Sequence, residues 1–353
     1  MEEYQGMKSL PRLLGSAALV LTASTAMSQD AELLSYDYAG FDDPSFHSKY
    51  IEKHGTGPTF SFFGDEEEAL QKILSGYKVD VSQICAGSLP KWFSADILEP
   101  WDTSKMPDYA NLDTNLTGAK VGAGDEVYFI PTYFGATAIA YNTEEVPAED
   151  VASLNVFKNP KYEQRITLPD NVDDVFALAY AATGVTDVTA VTDAELEAAL
   201  AWLREVHPFV RTYWTDPAEL AQLMASGEIL VAWAWNETIP TTQDEGLPIA
   251  YQREPAEGSS VWMCGYVNLK DAPGNEDKVY DYVNAVLDAS SAEPMLGNGF
   301  ATSNKPALEA LGTETLTAVG VGPVDGPVVA QLPIDPELRE KQAEAFERIK
   351  AGF

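Results

Sequence analysis

Ile130-Pro131-Thr132-Tyr133-Phe134-Gly135-Ala136-Thr137-Ala138-Ile139-Ala140-Tyr141-Asn142 is the stretch on which the reading of this chain turns. β-Branched, aromatic and small residues favour an extended backbone, and the run is about as long as one or two strands. A Pro near its start and a Gly inside it fit the edge of a strand and a bend, or a close approach of backbone or ligand. We read it as the segment by which the chain leaves one lobe and enters another. Composition alone leaves an ordinary core strand equally open.

The rest of the chain bounds that reading. Its 353 residues are enough for two lobes with cores of their own. With 45% hydrophobic and 22% charged residues, the composition is that of a globular protein. The 55 acidic against 22 basic residues give a formal charge of −33, which argues against nucleic acid or an anionic membrane surface as partner. That acidity fits either cationic ligands or a solvated surface suited to salty surroundings, and its spread along the whole chain favours the second.

At the N-terminus Lys8 and Arg12 precede the apolar run 13–21, and small residues follow at Ser24 and Ala26. This is the shape of a secretory signal over residues 1–28, with Met7 as a possible start and cleavage after Ala26 or Ser28. The apolar run is too short to span a bilayer and no later stretch is long enough either, so the expected mature protein is soluble and exported to the periplasm. In an oxidising compartment Cys85 and Cys264, the only cysteines, form either one disulfide or two buried thiols.

Strand and helix signals alternate along the chain, which predicts an α/β layer architecture. Strands are expected at 32–38, 58–63, 79–84, 165–168, 229–235 and 261–269. Helices are expected at 66–75 with Asp65 as cap, at 172–183, from the Thr192/Glu195 capping box to His207, at 217–226, 276–288 and 338–350. Alternation in 229–235 puts Ile229, Val231, Trp233 and Trp235 on one face. Ligands gather at the carboxyl ends of strands in such sheets, which makes the loops 38–41 and 85–88 candidate cleft walls.

Familiar catalytic signatures are missing: no Gly-x-Ser-x-Gly, no His-Glu-x-x-His, no phosphate-binding Gly-rich loop before a Lys, and no metal-spaced Cys/His set. No cofactor or metal is expected, and the chain reads as a binding protein, not an enzyme. His47, His54 and His207 lie by helix ends or turns and read as surface or capping residues. The aromatics Tyr38, Phe41, Tyr133, Phe134, Tyr213, Trp214, Trp233, Trp235, Trp262 and Phe300 mostly stand at strand ends. Each alone is more often core, but several around one cleft would form a cage for a cation, at ~0.5–2 kcal/mol per ring.

Taken together, Ile130-Pro131, Gly135 to Ile139, Asn142, Trp235-Asn236, Val261-Trp262-Met263 and Lys350-Ala351-Gly352 give the chain its resemblance to the spermidine/putrescine-binding proteins of bacterial ABC importers, a branch of the periplasmic solute-binding proteins. The resemblance covers nearly the whole mature chain. It implies a two-lobed α/β periplasmic binding protein fold with a ligand cleft between lobes joined by crossing strands, and hinge closure on the ligand. By that likeness one lobe holds 30–131 plus 262–305 and the other 132–261 plus 306–353, and a monomer serves an inner-membrane ABC permease.

The departures from the family pattern shape the expected ligand. Where that pattern has Trp followed by Glu two residues later, this chain has Tyr38 and Gly40; where it has Asp after Trp-Met, Cys264 stands. The loop that carries Ser and Tyr in the family reads Cys85 and Gly87, Asn171 replaces an Asp and Asp174 a Glu. Tyr38, Phe41, Trp235, Trp262 and Phe300 fall on or beside ligand-contacting positions, with Tyr133, Phe134 and Trp233 as further candidates.

Burying an ammonium without acceptors is costly, whereas a fully methylated onium group has no N–H to satisfy. The expectation is therefore an aromatic cage for an onium compound of the dimethylsulfoniopropionate, glycine betaine, choline or carnitine class. Asn171, Thr132, Asn236 or an indole N–H would anchor any carboxylate it carries. The alternative is a putrescine or spermidine receptor drawing on Asp37, Asp173 or Asp174, and a secreted hydrolase is a distant third. By the same likeness Cys85 and Cys264 map to one cleft-facing wall, where a disulfide between them is open.

Overall fold

Residues 130–142 form one continuous strand in the computed structural model, which describes residues 29–64, 66–113, 121 and 124–353. The expected signal segment and the expected Asp65 cap lie outside the described residues. Twelve strands run in chain order: β1 (Gln29–Tyr38), β2 (Gly57–Phe63), β3 (Val81–Cys85), β4 (Leu98–Glu99), β5 (Ile130–Asn142), β6 (Ile166–Pro169), β7 (Val210–Trp214), β8 (Val231–Trp235), β9 (Ile249–Gln252), β10 (Ser259–Leu269), β11 (Ala301–Thr302) and β12 (Val328–Ala330).

The order β2-β1-β3-β10-β5-β8-β6-β7 makes β5 the passage between two groups of strands. Its first half pairs antiparallel with β10, from Ile130 opposite Tyr266 to Thr137 opposite Ser260. Its second half pairs with β8 from Thr137 opposite Trp235 onward, and with β9 from Ile139 onward. Thr137 therefore has a partner on each side, and the handover between lobes happens there. Gly135 is required at this crossing: a Cβ there would lie 2.1 Å from Cζ2 of Trp262, whose indole covers the bare backbone.

Each lobe has its own apolar interior. In the first, Leu33, Val81, Ile130, Tyr266 and Val283 pack on one face of the sheet and Tyr36, Ile84, Trp92 and Val267 on the other. In the second, Ile139, Phe157, Ile166, Phe176, Leu200 and Trp233 pack with Phe346 and Ile349 of the C-terminal helix. Each fully buried large apolar side chain contributes ~1.5–3 kcal/mol, so each interior stabilises its own lobe. The protein has the two-lobed α/β architecture of periplasmic binding proteins.

Several elements differ from expectation. The strand expected at 229–235 begins at Val231, and Ile229 packs with Ala232 and Ala234, on the side away from Trp233. The C-terminal helix, Pro336–Lys350, starts earlier than expected because Asp335 caps it and Pro336 suits its first turn. The Thr192–Glu195 capping box is formed as read. His47 is not a surface residue: it is 1% exposed, and burial pushes its imidazole down to about 4. His54 pairs with Asp281 at 2.9 Å, and His207 bonds the hydroxyl of Tyr213 at 2.9 Å. No helix among the described residues is long and apolar enough to cross a membrane.

Candidate functional site: the cleft between the lobes

Four of the expected rings come together. Phe41, from the turn after β1, lies 4.9 Å from Tyr133 of β5 and 5.1 Å from Phe300. Tyr133 meets Phe300 at 5.1 Å and Trp262 of β10 at 5.9 Å. Phe41, Tyr133 and Trp262 are buried and Phe300 is half-buried. Among the described residues the indole N–H of Trp262 and the hydroxyl of Thr132, next to Tyr133 on β5, are both buried with no hydrogen-bond partner.

The other expected residues separate from this group. Phe134 points to the opposite face of β5, because side chains alternate along a strand, and packs with the first lobe. Trp233 is 0% exposed in the second lobe's core, edge-on to Phe157, with its indole donating to the backbone carbonyl of Asp174 at 3.2 Å. It has no face left for a ligand. Asn171 is the N-cap of the helix Val172–Thr183, its side-chain oxygen accepting from the Asp174 N–H at 3.0 Å. Tyr38 lies 4.6 Å from Phe63, packs against the core that holds Phe41, Tyr133 and Trp262, and its hydroxyl donates to Glu66 at 2.7 Å.

Carboxylates are where sequence reasoning expected few. Asp174 is 3% exposed and accepts from Thr137 Oγ1 at 2.6 Å, Gln331 Nε2 at 2.8 Å and Trp235 Nε1 at 2.7 Å. Burial pushes its carboxyl up to about 6 despite those donors. Glu66, at the start of the helix Glu66–Leu74, accepts from Tyr38 and from the Cys85 backbone N–H at 2.7 Å, and burial raises it to about 7. Glu237 follows β8 and lies within electrostatic reach of Asp174, Asp216 and Tyr133. Among the described residues it has no hydrogen-bond or ion-pair partner, and burial, with the two neighbouring acids, pushes it up to about 8.

Asp37 does not join them. It is 0% exposed inside the first lobe, bonded to Ser35 at 2.7 Å, Tyr282 at 3.0 Å and Tyr266 at 3.1 Å, and burial raises it to about 7. Asp173 turns the other way from Asp174 and pairs with Arg339 of the C-terminal helix, whose Nε also faces Glu67 of the first lobe at 3.8 Å. Cys85 and Cys264 face each other directly across β3 and β10 and are joined by a disulfide, so neither thiol is free.

Sequence reasoning therefore missed Glu66, Glu237, Gln331 and Arg339. Glu66 looks like an ordinary first-turn acid, and Arg339 like one charge of a solvated terminal helix. Glu237 had a usable signal, standing directly after the Trp235-Asn236 pair. Carboxyls pushed upward by burial and by one another are stabilised as anions by any positive charge placed beside them. No group of His, Cys, Asp and Glu among the described residues is arranged to hold a metal ion. A cavity of about 390 Å³ lies outside the cleft, behind β9, lined by Ala140, Tyr251, Arg253 and Thr317 among others.

The family described as bacterial extracellular solute-binding protein matches residues 49–318. The spermidine/putrescine-binding periplasmic protein of Salmonella typhimurium is 24% identical over 349 residues, covering 96% of this chain and 98% of its own. Among solved structures, the spermidine/putrescine ABC transporter substrate-binding protein of Streptococcus pneumoniae superposes with a TM-score of 0.72 at 21% identity, covering 92% of this chain and 99% of its own. The binding protein MotA of A. tumefaciens, in complex with glucopine, superposes at 0.71 with 19% identity, covering 90% of this chain and 99% of its own. Both structural likenesses speak to the fold alone.

Proposed function

The chain belongs to the bacterial extracellular solute-binding protein family, and from that premise we propose that it captures a small aliphatic amine of the putrescine and spermidine class between its lobes. The observation that carries this is Glu237, a carboxyl without a partner among the described residues, near Asp174 and the Phe41–Tyr133–Trp262–Phe300 rings. An alkyl ammonium would supply the missing charge to the carboxylates and lay its methylenes on the rings, combining an ion pair with cation–π contact. The names of the polyamine-binding relatives support the same class. Capture in the periplasm by a monomer, followed by delivery to an inner-membrane ABC permease, completes the proposal. Binding is all the chemistry it needs.

The onium reading rests on the same rings, but a quaternary ammonium has no N–H to offer the acceptors that surround it. Titration calorimetry of the purified protein with putrescine, spermidine, choline, glycine betaine and dimethylsulfoniopropionate separates the two. Micromolar or tighter binding of an amine with no response to the oniums is the expected result. Onium binding tighter than any amine would reverse it.

A further inference from the structure

Within that amine reading, on which this step rests, we propose that Arg339 is a resident cation holding one end of the cleft, so that the protein accepts short diamines and rejects longer polyamines. Arg339 extends from the helix Pro336–Lys350 of the second lobe, only 15% exposed. It pairs with Asp173, which is 17% exposed, and faces Glu67 of the first lobe at 3.8 Å, with Glu66 also within its field. The first lobe closes directly on this pair: a Cβ at Gly87 would lie 2.6 Å from Oδ2 of Asp173. No alkyl chain threads between that loop and Asp173 without prising the lobes apart.

The acids of the cleft therefore form a graded row. Asp173, Glu66 and Glu67 share a fixed guanidinium; Asp174 comes next, saturated by three neutral donors; Glu237 follows, without a partner among the described residues. Asp174 lies in the field of Asp173, and Glu237 in the field of Asp174. A diamine can place its two ammonium groups at Glu237 and along the row towards Asp174. A third ammonium would have to enter the end that Arg339 already neutralises, where like charges repel in a poorly solvated space. In this arrangement the guanidinium stands where the last ammonium of a longer ligand would go.

Calorimetric titration of putrescine and spermidine into the intact protein and into Arg339→Gln and Arg339→Lys tests this. The unmutated protein is expected to bind putrescine at least tenfold more tightly than spermidine. Arg339→Gln should shrink that ratio tenfold or reverse it, and Arg339→Lys should keep it. Spermidine binding the unmutated protein as tightly as putrescine would overturn the proposal, and this ratio decides it even where a variant fails to fold. Equal weakening of both ligands in Arg339→Gln would also overturn it, leaving the arginine only a latch between lobes. Absence of any amine binding to the unmutated protein would defeat the amine reading itself, a separate failure.

Discussion

Glu66 and Glu237 are the same residue type at the cleft, the first buried and the second half-buried, and their partners differ. Glu66 receives two hydrogen bonds at 2.7 Å and lies in the field of Arg339. Glu237 receives nothing from the described residues and has acids for neighbours, and burial pushes it higher, to about 8 against about 7. A buried polar group that the fold has already satisfied is architecture; one it has left unsatisfied is available to a ligand. The comparison predicts that the two acids respond differently to the same substitution.

Glu237→Gln should produce the larger effect. Removing the charge that a bound ammonium would meet is expected to weaken amine binding about 100-fold, roughly 3 kcal/mol, in the range for truncating one partner of a buried charged pair. The ligand-free protein should become more stable, because Asp174 and Asp216 no longer face a third carboxyl. Glu66→Gln should weaken binding less than tenfold, since Arg339 and two donors already answer that carboxylate. Calorimetry and chemical denaturation of the two variants measure both quantities, and equal losses in binding would break the contrast.

Proton linkage gives the next effect. Glu237, Glu66 and Asp174 are all raised by burial above ordinary values, to about 8, 7 and 6. A raised acid holds its proton in the folded protein over a range where the unfolded chain has lost it. The corresponding stability is fully present below the unfolded values near pH 4 and is lost as pH rises through the folded ones. The ligand-free protein should therefore melt at progressively lower temperature from about pH 5 to pH 8. A bound amine should flatten that slope and release protons at pH 7, seen as a dependence of the calorimetric heat on the buffer's ionisation enthalpy. A melting temperature that rises over this range without ligand would contradict the account.

Legibility in the sequence follows the same division between local and distant causes. The crossing strand was readable because Gly135 and its β-branched and aromatic neighbours act through local conformation, and the Thr192–Glu195 box because its partners are three residues apart. The gathering of Phe41, Tyr133, Trp262 and Phe300 followed from strand ends and family likeness. The acids did not. Glu66 meets Cys85 across 19 residues and Arg339 meets Asp173 across 166, so their pairing is set by how each lobe folds back on itself. Trp233 misled because alternation tells which face a side chain takes, and here that face is the second lobe's core.

Asn171 supplies the smallest effect and the cleanest separation of architecture from site. Sequence comparison set it at a ligand position, but its side-chain oxygen is engaged by the Asp174 backbone N–H at the start of a twelve-residue helix. Asn171→Ala should therefore cost about 1 kcal/mol of stability, the usual loss for a removed N-cap. Amine affinity should change less than threefold, because the partners of Asp174 on β5, β8 and Gln331 remain to hold its carboxylate in place. Denaturation with urea and calorimetry on the same preparation read both. A large loss of affinity with unchanged stability would mean that the amide reaches the ligand directly and that the line drawn between Glu66 and Glu237, satisfied against unsatisfied, does not sort the residues of this cleft.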